Sequence, residues 1–374
     1  MNFDLTEEQQ LLQDSVARFV GDHYPLDKRR KLVDGKMGYS NDHWKQFAEL
    51  GWLALPFSEE DGGIGGTAID NMIMMEQLGR GLVLEPYLPT VILGGGILRR
   101  TLEGERRAAL LGQLIEGGLQ LAFAHTEVQS RWDLNDVTTS ARPDGDGWIL
   151  NGAKTVVWNG QNADHIIVSA RTGGGQMDND GISLFLVPAD AEGLTVQGYP
   201  TVDGLRAAEV TLKDVKLEAD ALLGETGKAW PVIEAVALDA TLALCAEALG
   251  GLEMLYKDTV QYTQEREQFG HPLADFQTVQ HRLVEMFMEY EQCKSMVYRA
   301  TLEYVQNGHE AARTISGCKH LIGTAGKFIG ENAVQLHGGM GVTEELRLGH
   351  FFKRQLVIES QFGNADYHLD RFAA

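Results

Sequence analysis

Apolar residues recur at helical spacing in the first third of the chain. Leu11, Leu12, Val16, Phe19 and Val20 share one face of a 3.6-residue period. Ahead of them, Thr6-Glu7-Glu8-Gln9 has the form of a capping box, with a hydroxyl at the N-cap and an amide three residues on. A second helical stretch covers 43–50. The turn Glu59-Glu60-Asp61-Gly62-Gly63-Ile64-Gly65-Gly66 then leads into a helix over 68–78. From about 121 the period changes. Trp148-Ile149-Leu150-Asn151, His165-Ile166-Ile167-Val168-Ser169, Ile182-Ser183-Leu184-Phe185-Leu186-Val187 and Ala208-Glu209-Val210-Thr211-Leu212 are short and β-rich. Asp144-Gly145-Asp146-Gly147 before Trp148 is a hairpin signal. From about 229 the helical period returns, and Leu283, Met286, Phe287, Tyr290, Met296 and Val297 mark a long amphipathic helix with a core-facing stripe. This order predicts an α+β chain in three parts: a helical domain over 1–120, an antiparallel β domain over 121–228 and a helical domain over 229–374.

Charge and composition narrow the picture. Asp and Glu total 53 against 32 Lys and Arg, a net charge of −21. Such a surface repels phosphate backbones and argues against nucleic acid as a partner. Hydrophobic residues at 44% suffice for a large core. No run approaches the roughly 18 uncharged apolar residues of a membrane span. The start, Met1–Glu8, is acidic and helix-like and lacks the basic end and apolar stretch of a secretory signal. Cys245, Cys293 and Cys318 are distant and odd in number, so neither a disulfide framework nor a zinc site is expected, and a reduced cytoplasmic setting fits. Glycine is in excess, 43 in 374 residues against about 7% in average usage. With no collagen period, these glycines must serve local purposes.

Four constellations could carry chemistry. Glu247 is the only charge in Ala240–Leu252, a helix apolar nearly all round. A lone carboxylate there either finds a basic partner on another helix or is tuned toward general-base duty. Gln335-Leu336-His337-Gly338-Gly339-Met340-Gly341 either brings backbone N–H groups to a phosphate or is a helix–helix turn. His337 has no second ligand at i+3 or i+4 and is expected to hydrogen-bond locally. In Gln264-Glu265-Arg266-Glu267-Gln268-Phe269-Gly270 the arginine fork either clamps phosphate or is solvated. Phe123-Ala124-His125-Thr126-Glu127 and Lys154-Thr155-Val156-Val157-Trp158-Asn159-Gly160 either flank a planar heterocycle or are ordinary strand residues.

In order and at this spacing, these segments resemble the acyl-CoA dehydrogenase family over essentially the whole chain. Further matches are Asp61-Gly62-Gly63-Ile64-Gly65-Gly66, Glu76-Gln77-Leu78-Gly79-Arg80, Asn151-Gly152-Ala153-Lys154 and Asp203-Gly204-Leu205-Arg206. The resemblance implies an N-terminal helical domain, a middle β domain and a C-terminal four-helix bundle. It also implies an FAD enzyme that oxidises acyl-CoA thioesters to 2-enoyl-CoA. In this family a carboxylate removes the α proton while the β hydride passes to the flavin. The thioester oxygen is hydrogen-bonded as enolate charge develops. Electrons leave to an electron-transfer flavoprotein. By position, Phe123, His125, Thr126, Trp132, Val156 and Trp158 would face the flavin, with Thr126 bonding its ring. From a neighbouring subunit, Arg266, Gln268, Phe269, Gln277, Gln335, Gly338 and Gly339 would meet the diphosphate and adenine side. Asn364 and Asp366 would form a further contact. Gly341 would share in that open loop, and Gly250 and Gly251 would leave room beside flavin or acyl group. No metal is implied.

The chain also departs from the pattern. The usual base position before Gly363 is Phe362, and the second known position is Ala240; neither accepts a proton. Glu247, seven residues after Ala240, lies on the same helix face and is the candidate base, with Glu359 as runner-up. A base displaced to this region resembles a bacterial branch that includes pimeloyl-CoA and steroid side-chain dehydrogenases. The common Thr-Glu-Pro-x-x-Gly-Ser-Asp segment is here Thr126–Asp133, and the usual Trp-Ile-Thr is Val156-Val157-Trp158. A homotetramer is favoured over a heterotetramer with a related chain. Two other readings stand: a subunit that completes a partner's flavin site, and a flavin oxidase or monooxygenase on the same fold.

Overall fold

The computed structural model describes residues 5–374; of the acidic start, Met1–Asp4 lie outside the described residues. Helices α1 (Glu7–His23), α2 (Leu26–Val33), α3 (Asn41–Glu49) and α4 (Ala68–Gly81) come first. A π-helical stretch, Leu88–Gly95, runs into α5 (Gly96–Thr101), and α6 (Gly104–Ile115) follows. Strands β1 (Leu121–Ala124), β2 (Ser140–Asp144), β3 (Gly147–Trp158), β4 (His165–Arg171), β5 (Ile182–Pro188), β6 (Leu194–Pro200), β7 (Arg206–Leu217) and β8 (Leu222–Leu223) make one sheet. Helix α7 (Trp230–Glu265), the two-residue strands β9 (Glu267–Gln268) and β10 (His271–Pro272), and helices α8 (Gln277–Asn307), α9 (Ala312–His337), α10 (Arg347–Ser360) and α11 (Ala365–Ala373) complete the chain. The helix–β–helix order matches the sequence pattern. No helix among the described residues is long and apolar enough to cross a membrane.

Local signals explain the starts of several elements. Thr6 and Gln9 form the reciprocal capping box at α1. Thr67 and Asp70 form another at α4. Gly145 supplies positive φ (61°) in the two-residue turn between β2 and β3.

The chain folds into two compact units, each discontinuous in sequence. One holds residues up to Lys31, Thr67–Val83 and Thr241–Ala374; the other holds Leu32–Gly66 and Leu84–Ala240. In the second unit the strand order is β6-β7-β3-β2-β4-β5-β8, with β1 added against β4. Most neighbours are antiparallel, as the sequence predicts. β1 and β4 are parallel, which the long connection between them permits. Leu150, Val168, Phe185, Val187 and Val210 fill the interior. The hydroxyl of Thr90 in the π-helical stretch donates to Leu121 O (3.1 Å) and ties the helical part of this unit to β1.

A buried ion pair pins the segment after β1. Lys154 Nζ on β3 is sealed from solvent and donates to Glu127 Oε1 (2.7 Å), His125 O (3.1 Å) and Ser169 Oγ (3.0 Å). Glu127 also accepts from the backbones of Thr138 and Thr139, the Thr138 hydroxyl and Gln129. Burial opposes the Glu127 charge, but Lys154 and the other donors outweigh it and hold the carboxyl far below its ordinary range. Burial pulls Lys154 down to about 8, against the raising effect of Glu127.

In the first unit, α8, α10 and α11 all pack on α9. The core stripe of α8 is realised by Met286, Tyr290 and Val297, whereas Phe287 is exposed beside Val284 and Met288. Helix α4 crosses α7 at two glycines. A Cβ on Gly79 would collide with the Glu247 carbonyl, and one on Gly250 with the Glu76 carbonyl. Gly251 likewise makes way for the Gln355 amide. Gly250 and Gly251 therefore serve helix crossing within this unit, a correction to the expectation that they clear space for a ligand. Beside this crossing, Arg80 Nη2 lies 2.8 Å from Glu76 Oε1 and 2.5 Å from Glu253 Oε2, so the Glu76–Arg80 motif is a buried charge network.

Two stability predictions follow from this packing. Gly250→Ala gains helix propensity of about 1 kcal/mol, but its Cβ meets immovable backbone, for which overpacking costs of about 1–3 kcal/mol are usual. The expected result is net destabilisation, whereas Gly112→Ala in α6, with open space around its Cβ, should raise the urea midpoint. Lys154→Met leaves Glu127 buried without its cation and should cost about 3–5 kcal/mol at pH 7. That loss should shrink in acid, as Glu127 takes up a proton, when urea midpoints at pH 7 and pH 4 are compared.

Candidate active site

The β unit gathers one group of the expected residues. Thr126 follows β1, and its carbonyl accepts from Thr155 N (2.9 Å) on β3. No hydrogen bond engages the Thr126 hydroxyl among the described residues, so it is available to a ligand. Opposite β7, β3 carries an extra residue: Lys154 pairs with Val210, yet Val157 pairs with Ala208. This β-bulge puts Val156 in the left-handed region (φ 52°) and leaves it 39% exposed, next to Val157 and the half-buried Trp158. Trp132 is half-buried in the loop after β1.

His125 has an inward role. Its ring is buried, stacks on Phe123 (centroids 5.2 Å apart) and meets Ser169 Oγ through Nδ1 (2.9 Å). Burial, reinforced by Lys154, pushes it down to about 3, so it is neutral at physiological pH. Phe123 is buried with it.

In the helical unit, Glu247 has found the basic partner that its apolar helix requires. Arg354 on α10 grips it in a fork, Nε to Oε1 at 2.6 Å and Nη2 to Oε2 at 2.7 Å. Arg354 Nη1 continues to Gln361 Oε1 (3.3 Å). Gln361 opens the turn 361–364, where Phe362 is left-handed (φ 55°). The buried Lys319 Nζ holds this turn by donating to Glu359 O (3.0 Å) and Gly363 O (2.7 Å). His368 Nε2 donates to Phe362 O (3.0 Å). Burial brings Lys319 down to about 8, and burial with the nearby Lys319 charge brings His368 down to about 3. The runner-up Glu359 is occupied otherwise: its Oε1 accepts from Ala365 N (3.1 Å) at the start of α11.

A second group in this unit faces outward. β9 and β10 form a hairpin whose turn residues, Phe269 (φ 56°) and Gly270 (φ 83°), are both left-handed. That geometry is a type I′ requirement that phenylalanine meets only under strain. It thrusts the Phe269 ring out, 90% exposed. Exposed Arg266 beside it makes no side-chain hydrogen bond among the described residues. Gln268 donates to the Glu267 carbonyl (2.7 Å). Gln277 begins α8 and is exposed, as is Gln335 near the end of α9. Gly338 (φ 58°) and Gly339 are exposed, with nothing within 4 Å of where a Cβ would stand. Gly341 differs, because its Cβ would strike Val334 of α9, so it serves internal packing. His337 donates from Nδ1 to Ala333 O (2.8 Å), the local bond expected of it. Asn364 caps α11 by accepting from Tyr367 N (2.9 Å), and Asp366 is exposed in the first turn of that helix.

These groups suit a flavin dinucleotide. The β unit offers a free hydroxyl beside a bulged strand and an indole; the helical unit offers a free guanidinium, amides and open glycine backbone for phosphates. No cluster of three or more His, Cys, Asp or Glu among the described residues could hold a metal ion. Arg354 and Lys319 were not singled out in the sequence. Each acts on a partner distant in the chain, and no local motif marks them.

Comparison with known proteins agrees along the chain. Family profiles for the acyl-CoA dehydrogenase N-terminal, middle and C-terminal domains match residues 6–117, 122–215 and 227–374. The Bacillus subtilis (strain 168) "Probable acyl-CoA dehydrogenase YngJ" is 29% identical over 371 residues, covering 98% of this chain and 97% of its own. The ChsE4-ChsE5 complex from Mycobacterium tuberculosis superposes with a TM-score of 0.90 at 25% identity, over 100% of this chain and 98% of the matched one. The FAD complex of PigA gives 0.91 at 28% identity, over 100% and 98%. With all three domain profiles in order and the folds superposing end to end, the chain belongs to the acyl-CoA dehydrogenase family.

Proposed function

We propose that the protein is an FAD-dependent dehydrogenase that converts an acyl-CoA thioester to its 2-enoyl-CoA, with Glu247 as the base for the α proton. The observation that carries this reading is that Phe362 and Ala240 are inert, which leaves Glu247 as the one carboxylate from Ala240 to Leu252; its fork with Arg354 is what a purely structural glutamate would also have, and the double variant below separates the two roles. Bound FAD supplies the hydride acceptor. Arg354 fixes the plane of the Glu247 carboxylate and takes one lone pair from each oxygen; the remaining lone pairs can receive a proton. The unpartnered Thr126 hydroxyl bonds the flavin ring, with Val156 and Trp158 beside it.

Arg266, Phe269, Gln277, Gln335, Gly338 and Gly339 serve the diphosphate and adenine side of a flavin in another copy of the chain, with Gln268, Asn364 and Asp366 as flanking contacts. The outward, strained Phe269 and the unpaired Arg266 support this lending, which requires at least two copies; the assembly we propose is a homotetramer. An electron-transfer flavoprotein takes the electrons. The three buried free thiols suit a reducing, cytoplasmic setting.

Two experiments test these assignments. The purified protein should show a flavin spectrum that bleaches with one class within a panel of short, long, dicarboxylic and steroid acyl-CoA thioesters, assayed with a dye acceptor; no bleaching with any would reject the substrate class. Glu247→Gln should bind FAD yet lose turnover by roughly 10²–10⁴-fold, the usual worth of a general base. Because Glu247→Gln leaves Arg354 buried without its anion, the double variant Glu247→Gln/Arg354→Gln removes both charges. It should regain stability without regaining turnover. If it regains turnover, Glu247 is a structural partner and the base lies elsewhere.

A further inference from the structure

Val156 is the feature of the β unit that packing does not explain. A β-branched residue in the left-handed region costs of order 1–3 kcal/mol and persists only where the surroundings impose it. Its side chain is 39% exposed, so burial of the valine does not offset that cost. The surroundings that impose it lie in three strands. Thr155 Oγ1, one residue before, donates to Glu209 Oε1 on β7 (2.9 Å). Tyr199 Oη on the edge strand β6 donates to the same oxygen (2.9 Å). Burial, with the Glu209 contact, pushes Tyr199 up to about 12, so it remains a donor at any physiological pH. On the other side, Thr155 N is held by Thr126 O, which joins the bulge to the free Thr126 hydroxyl.

The geometry points to Glu209 and Tyr199 as positioning residues: through Thr155, the neighbour of Val156, they hold the β3 bulge in its left-handed form, and so fix the platform that Thr126, Val156 and Trp158 present to the flavin ring. This rests on the cofactor reading above and adds to it a pair of residues that touch no ligand. One carboxylate oxygen accepting two hydroxyl donors joins β3, β6 and β7 at the second of the two places where β3 slips register against β7. A bulge that re-aims side chains beside a functional site is a common use of such an insertion.

The test uses the strain itself. Glycine adopts left-handed φ at no steric cost, so Val156→Gly should make the buttress dispensable. Glu209→Ala and Tyr199→Phe are each expected to weaken FAD binding about tenfold in a fluorescence titration, the effect of losing about 1.4 kcal/mol of ordering. Both should also blur the fine structure of the bound flavin's visible band. In the double variant Val156→Gly/Glu209→Ala, affinity and band shape should return to those of Val156→Gly alone. Wild-type affinity and band shape in both single buttress variants would overturn the proposal. So would a loss in Glu209→Ala that Val156→Gly does not restore, since Glu209 would then be a general structural contact. A wild-type protein that takes up no FAD would sink the cofactor reading itself and the platform with it.

Discussion

A carboxylate withdrawn from water must be met by donors or a cation, and this requirement organises both units. Glu127 is met by Lys154 and by two backbone N–H groups, Glu247 by Arg354, and Glu76 and Glu253 together by Arg80. Lys154–Glu127, Arg354–Glu247 and Arg80–Glu253 each join separate elements of the chain, so satisfying the charge also fixes a tertiary contact. The desolvation penalty of such a pair is large, and replacing both partners with apolar residues is often tolerated better than removing one. These pairs thus specify arrangement more than they add stability. Lys154 aligns the segment after β1 with β3, and Arg354 aligns α10 with α7.

Backbone strain recurs at three further positions that bear on the site. Val156, Phe269 and Phe362 are left-handed without being glycine. Val156 lies on the bulge proposed to face the flavin, Phe269 on the outward hairpin, and Phe362 where the family resemblance would expect a catalytic glutamate. The turn around Phe362 is firmly held although Phe362 itself carries no carboxylate. Lys319 and His368 still clamp its carbonyls, and Gln361 is tied to Arg354. The turn thereby supports the Glu247–Arg354 pair.

The glycine excess divides by the same logic. Gly79 and Gly250 permit the close approach of α4 to α7, and Gly341 the packing of its loop on α9. Gly338 and Gly339 alone in their loop face open space. Identical residues in one stretch, Gly338-Gly339-Met340-Gly341, thus serve outward access and inward packing.

The sequence by itself determined what short-range physics controls. Capping at Thr6, the turn at Gly145, the period change near 121 and its reversal near 229 act over a few residues, and the elements appear where those signals put them. The burial of the helix around Glu247 was legible for the same reason, since a helix without polar residues has no solvent face. What only the tertiary structure decided is which groups meet. Arg354 is 107 residues from Glu247, His125 turns inward to Ser169, Phe287 stays exposed on the stripe that Met286 buries, and Glu209 accepts the Thr155 hydroxyl from 54 residues away. Pairing across such separations depends on how strands register and helices cross, and a side chain's partner at that range leaves no trace in its own neighbourhood of sequence.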